Sequence, residues 1–94
     1  MDTCLSGDTI RIEATFTGFD GVLTDPDVVK LILYDNNYNP LTEYSAVKES
    51  TGVYYYDYTV GDDDNGKHYY YEFRGEIGSK PSLNRDELQI VFVK

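Results

Sequence analysis

The sequence predicts one all-β domain over residues 1–94, either an antiparallel sandwich or a barrel. Residues 53–60 and 68–74 both alternate in polarity and are rich in tyrosine, and an acidic turn separates them. Alternate residues of an extended strand point to opposite faces, and aromatic and β-branched side chains suit a half-buried pleated surface. Six segments of this kind recur at spacings of about a dozen residues, and none has helical periodicity. This combination favours an all-β fold over an α/β fold.

The two tyrosine-rich strands each present one row of side chains to a common core. The inward rows are predicted to be Tyr54, Tyr56, Tyr58 and Val60 in the first strand, and Tyr69, Tyr71 and Phe73 in the second. The opposite face of the second strand is polar and is predicted to point outward. It consists of His68, Tyr70, Glu72 and Arg74.

Four further strands complete the prediction. They span residues 9–16, 28–34, 41–47 and 87–93, and the third is expected to be a short, irregular edge strand. Alternation predicts the inward residues to be Ile10, Ile12, Ala14 and Phe16, then Val29, Leu31 and Leu33, and finally Leu88, Ile90 and Phe92. Residues 18–27, 35–40 and 75–84 concentrate turn-forming residue types, so we expect turns or loops there.

The connection between the two tyrosine-rich strands has two interpretations. A simple hairpin would pair Tyr58 with Tyr69 and Tyr56 with Tyr71. Alternatively, the two strands belong to opposite sheets and their inward rows meet through the core. We favour the second interpretation, because the acidic loop of residues 61–66 suits a crossing better than a tight hairpin.

Residues 51–71 resemble part of an immunoglobulin-like module. The run Thr-Gly-Val-Tyr-Tyr-Tyr-Asp-Tyr-Thr-Val, the acidic loop and the following Gly-Lys-His-Tyr-Tyr-Tyr are similar to the E strand, E–F loop and F strand of such modules. The Gly-x-x-Tyr from Gly66 to Tyr69 is similar to their tyrosine corner, in which a phenol hydroxyl ties the loop to the strand.

Residues 8–21, 25–27 and 31–35 extend the likeness over nearly the whole chain, and the modules concerned occur in tailed-phage particles and bacterial surface proteins. The resemblance implies an immunoglobulin-like antiparallel β-sandwich of six to seven strands. The chain departs from a true immunoglobulin domain because it has neither a cysteine pair nor a tryptophan.

Charge and composition argue against several classes of partner. The net charge of −9 at pH 7 repels phosphate backbones and anionic lipid, so neither nucleic acid nor a membrane surface is an expected partner.

Cys4 is the single cysteine, which excludes an internal disulfide and the disulfide-rich secreted scaffolds. No signal-peptide pattern is visible, and no apolar stretch approaches the ~20 residues that span a bilayer. If Met1 is the natural start, we expect the protein to be made in the cytoplasm.

Neither enzymatic activity nor a cofactor is expected. His68 is the only histidine, and the chain has no nucleophile elbow, phosphate loop, or pair of histidines or cysteines at metal-binding spacing. Asp62 and Asp64 are weak candidates for calcium ligands, since they match the first and third oxygen positions of a calcium loop. Gly66 stands where the next ligand belongs, and no glutamate closes the loop, so a solvated turn is favoured over a metal site.

Outward tyrosines are the remaining candidates for a functional site. The predicted partner-binding set is Tyr55 and Tyr70, which lie in otherwise polar rows, with Tyr34 and Tyr38, which flank the edge strand. Exposed tyrosine is amphipathic and enriched at protein interfaces. Scattered surface tyrosine is the alternative, and sugar binding is a rival use of the same rings, although the chain has no tryptophan.

The resemblance implies a non-enzymatic structural or interaction module. We expect a small phage virion accessory protein of the head, connector or tail, which binds other protein chains or associates with itself. Such a protein would be located in the virion, or in the host cytoplasm during assembly. The alternative is an adhesion or carbohydrate-binding module excised from a larger bacterial surface protein, located at the extracellular cell surface.

Overall fold

A computed structural model describes residues 2–93, and these residues form eight β-strands and no helix. The strands are β1 (Asp2–Leu5), β2 (Thr9–Thr15), β3 (Asp27–Tyr34), β4 (Pro40–Ser45), β5 (Val47–Ser50), β6 (Val53–Thr59), β7 (His68–Ile77) and β8 (Lys80–Val91). Within this part of the chain there is accordingly no helix long and apolar enough to cross a membrane.

The strands form two sheets around a shared core. The five-stranded sheet has the order β1-β8-β7-β3-β4, and the three-stranded sheet has the order β2-β6-β5. The predicted all-β architecture is confirmed. Neighbouring strands are antiparallel except β1 and β8, which run parallel, so the prediction of a wholly antiparallel sandwich is wrong at this edge. The prediction of six to seven strands is also too low, because β1 is added and the predicted edge strand divides into β4 and β5.

The two tyrosine-rich strands belong to different sheets, as the favoured interpretation predicted. β6 pairs with β2, where Ile12 lies opposite Tyr56, whereas β7 pairs with β3 and β8. The hairpin pairing of Tyr58 with Tyr69 therefore does not occur. Residues 60–67 carry the chain from one sheet to the other, and the two tyrosine rows approach each other across the core.

The core contains most of the residues that alternation placed inward. Its buried apolar members are Cys4, Ile12, Ala14, Phe16, Val29, Leu31, Leu33, Tyr54, Tyr58, Val60, Tyr69, Tyr71, Phe73, Leu88 and Ile90. Rings from both sheets pack here: Phe16 meets Tyr54 edge-to-face with centroids 5.9 Å apart, and Tyr44 of β4 stacks on Tyr56 of β6 at 4.5 Å. Burial raises the pKa of Tyr58 to about 12, as expected for a phenol removed from water.

The segment 75–84, predicted as a loop, is instead the tip of a long β-hairpin. β7 continues to Ile77, and only Gly78 and Ser79 separate it from β8. Both turn residues have positive φ, 58° and 65°. This conformation is required in the two-residue hairpin turn whose backbone twist matches the twist of the flanking strands. Gly75 is not part of a turn but lies within β7. A Cβ there would lie 2.6 Å from Pro26 Cβ, so glycine allows Pro26 to pack closely against the strand.

Two predictions near the sheet edges are wrong. The predicted edge strand 41–47 breaks at Ala46, because β4 belongs to the five-stranded sheet and β5 to the three-stranded sheet. Phe92, predicted to be inward, is 74% exposed. β8 ends at Val91, where its pairing with β1 also ends, so no neighbouring strand covers the Phe92 ring.

Candidate functional site

The outer face of the five-stranded sheet carries three of the four tyrosines predicted to bind a partner. Tyr34 of β3 lies opposite Tyr70 of β7 in the strand register. Tyr38, in the turn between β3 and β4, stacks on Tyr70 with ring centroids 4.7 Å apart and planes 30° apart. His68 stacks on Tyr70 as well, at 5.1 Å. The sheet thus gathers side chains from two strands and a turn into one aromatic cluster.

The turn that presents Tyr38 is organised by Asp35. Its carboxylate accepts hydrogen bonds from the backbone N–H groups of Asn37 and Asn39, each at 2.9 Å. The Asn39 bond is the largest of the contributions that lower the pKa of Asp35. Tyr38 itself has φ of 65°, a left-handed conformation that is uncommon for a bulky residue. The Asp35 hydrogen bonds hold the turn in the geometry that places the Tyr38 ring over Tyr70.

A buried carboxylate lies beside the aromatic cluster. Glu72, two residues after Tyr70 on β7, is only 1% exposed although it is on the outer face of the sheet. Arg85 Nε donates to Glu72 Oε2 at 2.6 Å, and Arg74 Nε donates to Glu72 Oε1 at 2.8 Å. Alternation placed Glu72 on the correct face but did not indicate burial, because Arg85 comes from the partner strand and no local sequence signal links the two residues.

Together these groups line an open recess of about 530 Å³, which we call the aromatic recess. It is formed by Tyr34, Tyr38, Tyr70, Tyr71, Glu72, Arg85, Asp86 and Glu87. The volume is within the range of small-molecule pockets. The recess was not predicted as a unit, since its members come from three strands and a turn that only the sheet brings together.

Glu87 lies opposite Tyr70 at the β8 side of the recess, whereas Asp86 lies opposite the inward-facing Tyr71 and so directs its side chain to the other face of the sheet. Asp86 Oδ1 accepts a hydrogen bond from the Glu87 backbone N–H at 2.8 Å. Glu87 Oε2 lies 3.3 Å from His68 Nε2, but the orientation does not satisfy hydrogen-bond geometry. His68, predicted to point outward, therefore lies against the Tyr70 ring and the Glu87 carboxylate, next to the recess.

Tyr55, the fourth predicted tyrosine, lies on β6 in the other sheet and away from the recess. The guanidinium of Arg11 sits over its ring, 4.0 Å from the centroid. Arg11 is held there by two hydrogen bonds to Asp57, at 2.8 and 3.0 Å. The face of the Tyr55 ring is thus occupied by a cation within the same sheet.

The acidic turn is organised around Asp64. Burial on its own would raise the pKa of Asp64, but bonds from Lys67, the Gly61 N–H and the Tyr69 hydroxyl outweigh it and lower the pKa. The Tyr69 hydroxyl donates at 3.2 Å and ties the loop to β7, the role that the resemblance implied for this residue. Asp62 is exposed. Among residues 2–93, no three acidic, histidine or cysteine side chains are grouped closely enough to hold a metal ion.

Comparison with known proteins adds no assignment to this geometry. No family model matches the sequence, and neither a curated protein nor a solved structure is significantly similar to it.

Proposed function

We propose that this chain is a non-enzymatic interaction module that binds another protein chain through the aromatic recess. The observation that supports this most is the exposed stack of Tyr38 on Tyr70, since Tyr38 is 67% exposed despite its ordered position. Tyrosine supplies a large, rigid contact area with a polar tip, which is why it is enriched at protein interfaces.

The rings of the recess are already positioned before a partner arrives. Tyr34 and Tyr70 are on paired central strands, and Tyr38 is fixed by the Asp35 turn. Ordering side chains on binding costs about 0.5–1.5 kcal/mol for each flexible side chain, so a pre-ordered cluster loses little on association. This favours a binding role for the cluster.

We further propose an immunoglobulin-like assignment for the sandwich. Its support is the strand order: β2-β6-β5 corresponds to strands B, E and D of an immunoglobulin domain, and β3-β7-β8 corresponds to C, F and G. Together with the resemblance to modules of tailed-phage particles, this order supports a small virion accessory protein of the head, connector or tail. The virion, or the host cytoplasm during assembly, is the corresponding location.

Co-expression with the products of the adjacent genes tests this function. We expect one neighbouring capsid, portal or tail protein to form a complex of defined stoichiometry, measured by size-exclusion chromatography with light scattering. Tyr70→Ala should weaken that complex. Tyr55→Ala is the matched control and should leave it intact, because Tyr55 lies on the other sheet. A gene located within a long exported reading frame, with no partner among its neighbours, would argue against the virion assignment.

An adhesion or carbohydrate-binding module is the second candidate. The observation that favours it is the mixture of tyrosine rings with carboxylate and guanidinium groups in one recess, since sugars use both ring faces and polar partners. A glycan array tests it directly. Selective glycan binding that is abolished by Tyr70→Ala would replace the virion proposal, whereas an array without binding would exclude this candidate.

A further inference from the structure

The open edge of β2 is the least protected strand edge of the sandwich. Natural sheets protect exposed edges with short strands, irregular pairing, proline or lysine. β1 and β5 have four residues each, and β4 begins at Pro40 and pairs irregularly with β3. β2 has seven residues, pairs with β6 in unbroken register, and contains neither proline nor lysine. It therefore keeps the regular geometry that accepts a further strand.

The backbone groups of Arg11 and Glu13 face this open edge. At the two ends of β2, Asp8 O and the Phe16 N–H form hydrogen bonds on the β6 side, at 2.8 and 2.7 Å. Residues of an antiparallel pair alternate between hydrogen-bonded and non-hydrogen-bonded positions, so the odd-numbered residues of β2 direct their N–H and C=O away from β6. Among residues 2–93, no strand pairs with β2 on that side. The N–H and C=O groups of Arg11 and Glu13 are thus placed to bind a further strand.

A crevice of about 210 Å³ lies beneath this edge, along the inner face of β8. Asn84 Nδ2 of β8 donates to Thr15 O at 3.3 Å, which places β8 below the end of β2. Asp86 lies opposite the inward-facing Tyr71, yet it is exposed, because the three-stranded sheet does not extend over it. The five-stranded sheet therefore projects past β2 and leaves room for one further strand beside it.

Charge indicates which kind of segment suits this position. Glu13 and Asp86 border the crevice, and neither forms an ion pair within residues 2–93. Arg11 is already neutralised by Asp57, to which it donates two hydrogen bonds. The whole protein carries −9 at pH 7, so its long-range field also attracts cationic partners. Charge complementarity therefore favours a segment that contains lysine or arginine.

The β2 strand of a second copy fits this edge less well. Antiparallel pairing of two β2 strands about a twofold axis would place both five-stranded sheets on the same side of the joined sheet. Because the Asn84 bond shows that β8 lies beneath the open edge, the β8 strands of the two copies would then compete for the same space. A single extended segment avoids this conflict.

We propose that the open edge of β2 binds an extended, basic segment of a different protein chain as an added strand. Backbone hydrogen bonds to Arg11 and Glu13 hold the segment, and its basic side chains pair with Glu13 and Asp86. In strand addition of this kind the main chain supplies affinity and alternate side chains supply specificity. The site lies at the edge of the three-stranded sheet, away from the aromatic recess, so the inference goes beyond the proposed function and does not depend on it.

Amide hydrogen exchange of the full chain, measured by nuclear magnetic resonance, tests the site. In the free protein, the amides of Arg11 and Glu13 should exchange faster than those of Ile10 and Ile12, which bond to β6. The probes are peptides selected from a displayed library of random short sequences. We expect enriched peptides to combine β-branched or aromatic residues with lysine or arginine. Binding of the most enriched peptide should slow exchange at Arg11 and Glu13.

Substitutions at Glu13 separate the backbone contribution from the charge. Glu13→Pro removes an N–H that faces the open edge and not one that binds β6, and an edge strand tolerates proline at such a position. It should weaken peptide binding at least about tenfold, measured by fluorescence anisotropy. Glu13→Lys keeps the N–H and reverses the charge, so it remains informative if Glu13→Pro does not fold. Its effect should shrink at high salt.

Tyr38→Ala is the matched control, because Tyr38 belongs to the aromatic recess of the other sheet. It should bind the peptide within about twofold of the parent. Far-ultraviolet circular dichroism and the Tm of each variant verify that the sandwich is intact.

The proposal is overturned if no peptide is enriched, if enriched peptides lack basic residues, or if the bound peptide leaves the Arg11 and Glu13 amides unprotected. Folded Glu13→Pro that binds as well as the parent also overturns it. A dimer of the protein alone that Glu13→Pro dissociates would overturn it in favour of self-pairing. The complex with a neighbouring gene product tests the proposed function separately, because that complex should depend on Tyr70 and not on Glu13.

Discussion

Glu72 is buried on the outer face of the five-stranded sheet, and Arg85 covers it through a hydrogen bond of 2.6 Å from Nε to Oε2. Arg74 binds the other carboxylate oxygen at 2.8 Å. A buried carboxylate is stable only when it is paired and hydrogen-bonded. The two arginines supply that pairing while their own side chains remain largely exposed.

Replacement of Glu72 should destabilise the sheet. We expect Glu72→Ala to lower the free energy of unfolding by about 2 kcal/mol, the typical contribution of hydrogen bonds to a charged group. Glu72→Gln should cost less because it keeps the shape. Urea unfolding measures both, and Glu76→Ala is the control, since Glu76 is exposed on the same strand. Equal effects of Glu72→Ala and Glu76→Ala would refute a stabilising role for the carboxylate.

Three phenylalanines of this chain differ in exposure and should differ in their contribution to stability. Phe73 is fully buried, Phe92 is 74% exposed and Phe19 is 100% exposed. Phe73→Ala should cost about 3–5 kcal/mol because it leaves a cavity. Phe92→Ala and Phe19→Ala should stay within about 0.5 kcal/mol of the parent. Thermal and urea unfolding give the comparison, and a large effect of Phe92→Ala would mean that its ring packs against the sandwich.

Alanine substitutions at Gly52 and Gly21 should distinguish the cost of backbone strain from the cost of steric contact. Both have positive φ, 74° and 79°, but a Cβ at Gly52 would lie 2.8 Å from Phe16 O, whereas nothing lies within 4 Å of one at Gly21. Each alanine substitution carries a strain cost of about 1–2 kcal/mol. We therefore expect Gly52→Ala to lower the free energy of unfolding more than Gly21→Ala. Equal losses would show that the Phe16 carbonyl can move away at no cost.

Acid should destabilise the fold through Asp25. Hydrogen bonds from Lys48 at 2.6 Å and from the Gly52 N–H at 2.8 Å lower the pKa of its carboxyl. The pKa of Asp25 is lower in the folded chain than in the unfolded chain, where an aspartate has a pKa of about 3.9. The ionised carboxylate therefore stabilises the fold at pH values above about 3.9. It is lost as the pH falls through the folded pKa.

The Asp25→Asn variant measures this contribution. It should unfold at lower urea concentration than the parent at neutral pH, and the difference should shrink once the pH is below about 3.9. Asp62→Asn is the control, because Asp62 is an exposed residue of the acidic turn. A difference between Asp25→Asn and the parent that does not change with pH would assign the effect to packing instead of charge.

Calcium should leave the stability unchanged. Asp64, one of the two candidate ligands, already accepts hydrogen bonds from Lys67 at 3.0 Å and Tyr69 at 3.2 Å, so coordination would have to displace them. We expect the same Tm in excess calcium and in chelator, measured by differential scanning fluorimetry. A rise in Tm with calcium that Asp64→Asn abolishes would demonstrate a site in the acidic turn.

The local pattern of the sequence predicted the strands and their inward faces because alternation depends only on neighbouring residues. Leu31, Tyr58 and Phe73 are buried where the alternation placed them. The pattern failed where an outcome depended on distant chain segments. Phe92 continues the inward row of β8, yet no strand reaches it. Gly75 lies in a segment with the composition of a loop, yet it is part of β7. The absence of a side chain at this position lets Pro26 pack against the strand.

The candidate site was likewise predictable from the sequence only in part. Composition and alternation indicated that Tyr34, Tyr38, Tyr55 and Tyr70 are outward-facing, because each judgement used only nearby residues. The order of the strands decided the rest, since it set Tyr34 beside Tyr70 and placed Tyr55 on the opposite layer under Arg11. Contacts between strands depend on register and sheet order, and these are properties of the assembled sandwich that no single segment of the chain encodes.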